Sequence, residues 1–147
     1  MTKRVARLTV ITLGVADVAC SIAFYERLGF ERKFKASGEE VAFFDTGGSV
    51  LALYPWAKLA GEAGLSGGRS AQEFLGATLA WNCNSEAEVN EVLAFAQSGG
   101  ARLLRVAEAT HYGGYAGYFA DPDGHVWEVV VAPGIVVGAD GRLSLPD

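Results

Sequence analysis

Apolar and polar positions along this chain fall into one pattern of elements that is written twice. Leu8–Val15 is an apolar, β-branched run that predicts a buried strand. Asp17 follows as a helix cap, Val18, Ile22, Tyr25 and Leu28 recur at helical spacing, and Gly29 supplies the stop. Residues 30–34, 40–44 and 49–54 predict three short strands, the last two joined by Asp45-Thr46-Gly47-Gly48, a sequence suited to a hairpin turn. The first half therefore reads β-α-β-β-β.

Residues 75–83 open the second half as a strand. Ser85, with Glu88 three positions later, makes a capping box for a helix running to Ser98, ahead of Gly99-Gly100. Strands over 101–106, 114–120 and 126–132 complete a second β-α-β-β-β. Residues 57–73, with Gly61, Gly64, Gly67 and Gly68, read as a polar connector. Residues 135–146, centred on Asp140-Gly141, read as a small hairpin arm that covers an edge or reaches a second subunit. The expectation is one domain: repeat one over 5–56, connector 57–73, repeat two over 74–133 and an arm over 134–147. A duplicated half must bury its apolar sheet against a partner, and two such sheets leave a cleft between them. The expected fold is α+β, with tandem βαβββ repeats forming an open, cup-shaped mixed β-sheet and helices on the outside.

Composition changes this picture little. The chain has 147 residues, half of them apolar, which suits one domain with a sizeable core. A formal charge of −5 and the lack of any Lys/Arg cluster argue against a nucleic-acid partner. The apolar stretch after the basic start is short and interrupted by Gly14 and Asp17, so neither a signal peptide nor a membrane span is expected and the reading is cytoplasmic. Cys20 and Cys83 have no motif spacing and read as reduced, packed thiols.

Two motifs give the pattern a relative. Val15-Ala16-Asp17-Val18 followed by Phe24-Tyr25-Glu26-Arg27-Leu28-Gly29-Phe30, with Ala120-Asp121-Pro122-Asp123-Gly124-His125-Val126-Trp127-Glu128, resembles the vicinal oxygen chelate superfamily. That group holds glyoxalase I, extradiol dioxygenases, fosfomycin-resistance thiol transferases and bleomycin-binding resistance proteins, and the resemblance spans residues 5–133. It implies a homodimer and, in members that do chemistry, one divalent metal held by a side chain from the first and last strand of each repeat. Carried over, those positions are Val10, Leu51, Ala77 and Glu128. Only Glu128 has lone pairs to offer, so no cofactor is expected, and a divalent metal is the alternative.

Glu128 has two readings: a remnant ligand, or a carboxylate satisfied inside the cleft by a tyrosine hydroxyl or water. It is also the candidate catalytic residue, as a general acid or base. Strand alternation then places Thr12, Leu53, Leu79, Trp81, Val126 and Val130 in the cup with those four. Phe44, Trp56, Tyr112, Tyr115 and Tyr118 border the cleft and suit a flat or cationic ligand; the resemblance likewise puts Thr12 and Tyr118 in the pocket. His125 points away from Glu128, and His111 is either a lid residue or an exposed loop residue. The leading expectation is a small-molecule binding protein that works without the usual metal. The alternatives are a lyase, isomerase or dioxygenase using Glu128, or a dimeric partner module whose cup is filled by its own side chains.

Overall fold

The computed structural model describes residues 5–66 and 73–147. The chain order is β1 (Val10–Val15), α1 (Val18–Arg27), β2 (Glu31–Lys33), β3 (Ala42–Asp45), β4 (Val50–Pro55), α2 (Trp56–Glu62), β5 (Thr78–Asn82), α3 (Glu86–Ser98), β6 (Arg102–Ala109), β7 (Tyr115–Ala120) and β8 (Val126–Val131). A terminal hairpin, β9 (Val136–Val137) and β10 (Leu143–Ser144), follows. The first eight strands form two four-stranded mixed sheets of the same design, ordered β1-β4-β3-β2 and β5-β8-β7-β6. In each, the opening strand pairs parallel with the closing one and forms an edge, and the other pairings are antiparallel. The α+β expectation and the βαβββ repeat hold.

Local signals act where they were read. The Asp17 carboxylate accepts the Cys20 amide at 2.9 Å and starts α1. Ser85 Oγ accepts from the Glu88 amide at 3.1 Å and starts α3, but the Glu88 carboxylate reaches the Asn84 amide, at 2.8 Å, one residue before the cap. The connector differs from expectation: its beginning is helix α2, and residues 67–72 of it lie outside the described residues. Trp56 anchors that helix by lying flat on β1, where a Cβ on Gly14 would come within 2.4 Å of the indole.

Helices α1 and α3 pack on one side of the sheets and share a single apolar core, with Phe24, Tyr25, Phe44, Leu53, Val89, Phe119 and Val129 fully buried. The repeats are tied through polar groups as well. Tyr25 donates its hydroxyl to Asp121 Oδ2 at 2.6 Å, and Trp127 Nε1 donates to that hydroxyl at 3.1 Å. Asp121 Oδ1 accepts the amides of Asp123 and His125. His125 Nε2 lies 2.7 Å from the Gly14 carbonyl, which requires a proton on that nitrogen. Cys83 is buried as expected, whereas Cys20 is exposed on the outer side of α1, a correction to the packed-thiol reading.

Register overturns the shared-face expectation. Val10 lies opposite Val50, and Ile11 opposite Leu51. Val10 and Thr12 therefore face one way, away from α1, while Leu51 and Leu53 face the helix with Leu13 and Phe44. In the second sheet Ala80 lies opposite Glu128 and Leu79 opposite Trp127, so Leu79 and Trp81 point to the side opposite Glu128. Both faces of these strands are apolar, so no polar face marks the outside and pairing register alone sets the phase of the alternation.

Candidate functional site

The edges β1 and β5 are unpaired on their outer sides and border a cleft between the repeats. Its larger part is a hollow of about 660 Å³. Phe30, Trp81 and Trp127 give it an aromatic wall, with Phe30 meeting each indole at 5.7 Å between ring centroids. Ile11, Leu51, Leu79 and Ala80 add aliphatic surface, and Thr46, Ser49, Asn82, Glu88 and Arg142 supply polar groups. A smaller hollow of about 320 Å³ adjoins it through Ile11 and Leu79, lined further by Thr12, Trp56, Leu59, Ala77 and Val126. Pockets of several hundred Å³ with apolar walls and few polar groups are typical small-molecule sites.

The terminal hairpin roofs the larger hollow. Asn84 is hydrogen-bonded both ways to Val137, donating to its carbonyl at 3.0 Å and accepting from its amide at 3.1 Å. At the other end Arg142 Nε donates to the Gly47 carbonyl at 3.3 Å. Gly47 sits at φ +90°, and a Cβ there would also press on the Asp140 carbonyl at 3.3 Å, so the turn needs glycine to seat the hairpin.

On the face turned away from the helices, the Tyr118 hydroxyl donates to Glu128 Oε2 at 2.6 Å. This is the satisfied-carboxylate geometry of the second reading. The bond to Glu128, followed by burial and the carboxylate's charge, pushes the Tyr118 phenol up to about 12. Neither residue lines either hollow: Glu128 and Tyr118 share a face of the second sheet with Ala80, opposite the one that carries Trp81 and Trp127.

The remaining candidates scatter. Leu51, Trp81, Thr12, Trp56 and Ala77 line one hollow or the other. Val10 is exposed on the face turned away from α1, and Phe44 is fully buried against Tyr25 and Phe30. Tyr115 turns to α3 and donates to Asn90 at 3.0 Å. Tyr112 is exposed and meets His111 edge-on, and His111 itself is exposed in the turn ahead of β7. Ile11, Phe30, Asn82, Trp127 and Arg142 were missed. Period-two alternation in the correct phase would have found Ile11 and Trp127, but only the fold brings Arg142 to this cleft.

Comparison with known proteins decides the family. The model of the Glyoxalase/Bleomycin resistance protein/Dioxygenase superfamily matches residues 7–129. The chain belongs to this superfamily. Among solved structures, a glyoxalase-related enzyme from Fulvimarina pelagi is 34% identical, with 97% of this chain and 100% of that chain covered and a TM-score of 0.85. A glyoxalase/bleomycin resistance protein/dioxygenase family enzyme from Burkholderia phytofirmans PsJN is 21% identical over 86% of this chain and 99% of that one, with a TM-score of 0.74. A lactoylglutathione lyase from Agrobacterium tumefaciens is 21% identical over 87% and 95%, with a TM-score of 0.65. No curated protein matches the chain.

The superfamily's usual divalent ion does not fit the residues at the implied positions. Val10, Leu51 and Ala77 carry no donor atoms, Leu51 and Val10 are on opposite faces of their sheet, and the remaining carboxylate is engaged by Tyr118. Among the described residues no group of three or more His, Cys, Asp or Glu side chains is placed to hold a metal. No described helix is long and apolar enough to cross a membrane.

Proposed function

We propose that this glyoxalase-superfamily protein binds a small, partly aromatic molecule in the cleft between its repeats without a divalent metal. The observation that carries the reading is the roughly 660 Å³ hollow with Phe30, Trp81 and Trp127 on its wall. Flat rings stack on such a wall, and a handful of polar groups at the rim orient what is bound. The donor-poor set at Val10, Leu51 and Ala77 supports the metal-free part. The protein is read as a cytoplasmic homodimer, the free edges of β1 and β5 being consistent with association.

The test pairs elemental analysis of the purified protein with ligand-detected NMR using 1-naphthamide, a flat neutral probe. Expected are negligible metal and saturable binding that Trp81→Ala weakens. Stoichiometric metal lost in Glu128→Ala overturns the metal-free reading, and no binding by the wild type overturns the cleft.

One observation favours a second reading, a metal-free enzyme. Tyr118 and Glu128 are a donor and an acceptor 2.6 Å apart on the face of the second sheet opposite Trp81, the arrangement of a proton-transferring pair. In that reading Glu128 takes or returns a proton of a molecule bound on that face while Tyr118 orients the carboxylate. Unchanged turnover of an identified substrate by Glu128→Gln would remove it.

A further inference from the structure

The terminal hairpin brings Arg142, the one cationic side chain lining the larger hollow among the described residues, to a rim otherwise built of neutral polar groups and Glu88. We infer that Arg142 makes the cleft selective for small organic anions, a flat apolar body lying on Trp81 and a carboxylate or similar group meeting the guanidinium. This rests on the cleft-binding reading above and adds the ligand's charge.

Three features support it. Arg142 is already oriented: its Nε is fixed on the Gly47 carbonyl, its backbone amide on Asp140 Oδ1 at 3.0 Å, and its stem runs along Gly48. Among the described residues no carboxylate forms an ion pair with it, so its charge is not neutralised within the repeats. A guanidinium fork accepts a planar carboxylate in a way an ammonium does not. Neutral donors stand near by. Asn82 and the Ser49 hydroxyl line the same hollow, whereas the Thr46 hydroxyl is committed to the Ser49 carbonyl. Three carboxylates of opposite tendency stand near and each is engaged by a backbone amide: Glu88 Oε2 by Asn84, Asp140 Oδ1 by Arg142 itself and Asp45 Oδ1 by Gly47.

The positive charge is therefore local in a chain of formal charge −5. Arg142 acts as a specificity residue: it discriminates among molecules the aromatic wall would hold equally. Its position is set entirely by the hairpin, through Asn84–Val137 at one end and the Gly47 turn at the other.

A matched pair of probes tests this, 1-naphthoate against 1-naphthamide, which share a ring system and differ in charge. Dissociation constants are measured by ligand-detected NMR for wild type, Arg142→Gln and Arg142→Lys at low and moderate salt. Expected is a preference of about tenfold or more for naphthoate in the wild type, lost in Arg142→Gln because naphthoate affinity falls further than naphthamide affinity, and partly kept in Arg142→Lys. Equal affinities of wild type for the two probes, or equal losses for both in Arg142→Gln, overturn the anion selectivity while leaving the cleft reading standing. If neither probe binds wild type, the cleft reading fails and this inference fails with it.

Discussion

Tyr118 and Glu128 show how one hydrogen bond sets the behaviour of a residue. The phenol is held at about 12 against an ordinary value of 10.0, chiefly by the bond to Glu128. The native state therefore holds its proton where the unfolded chain has released it, so stability linked to Tyr118 is intact below pH 10 and is lost as pH rises toward 12. Tyr25, raised well above 10.0 first by burial and then by the charge of Asp121, acts in the same direction. Ultraviolet titration should show late phenolic ionisation, of which one tyrosine's share is lost in Tyr118→Phe and moves toward 10 in Glu128→Gln while that of Tyr25 stays. The two thiols differ as clearly. Burial pushes Cys83 up to about 11, while Cys20 is exposed. Iodoacetamide at pH 8 should label Cys20 alone in the native protein, and Cys83 only after unfolding, as counted by mass spectrometry.

At the scale of elements, close packing at glycine decides how helices sit on sheets. A Cβ on Gly117 of β7 would meet Leu93 of α3 at 2.4 Å and the Ala107 backbone nitrogen at 3.0 Å. Leu93 can turn aside but the neighbouring strand cannot, so Gly117→Ala should cost about 1–3 kcal/mol in urea unfolding. The caps that start α1 and α3 were legible because Asp17 and Ser85 act on amides three residues away. Helix α2 was not legible, since Trp56 and Gly14 are distant in sequence and the glycines after it read as loop. The terminal hairpin was readable from Asp140-Gly141, but its seat on the Gly47 turn and on Asn84 is a tertiary fact.

For the whole molecule, the joining of the repeats depends on a few buried polar contacts laid over a shared core. Tyr25→Phe would leave Asp121 Oδ2 and the Trp127 indole nitrogen without the hydroxyl that serves both. A loss of about 1–3 kcal/mol follows for stranded buried groups, and thermal unfolding would measure it. The duplication, the βαβββ order and the superfamily were determined by the sequence alone, because turns, caps and the alternation of element types are local and occur twice. Also readable was the poverty of metal donors, which is a matter of side-chain identity. The tertiary structure alone decided which face each apolar residue takes: with apolar side chains on both sides of β4 and β5, only pairing register distinguishes Leu51 from Val50 or Trp81 from Ala80. It also decided where the cleft lies and that Arg142 reaches it, since a residue far along the chain enters a pocket only when long-range packing folds its hairpin back over the opening strands.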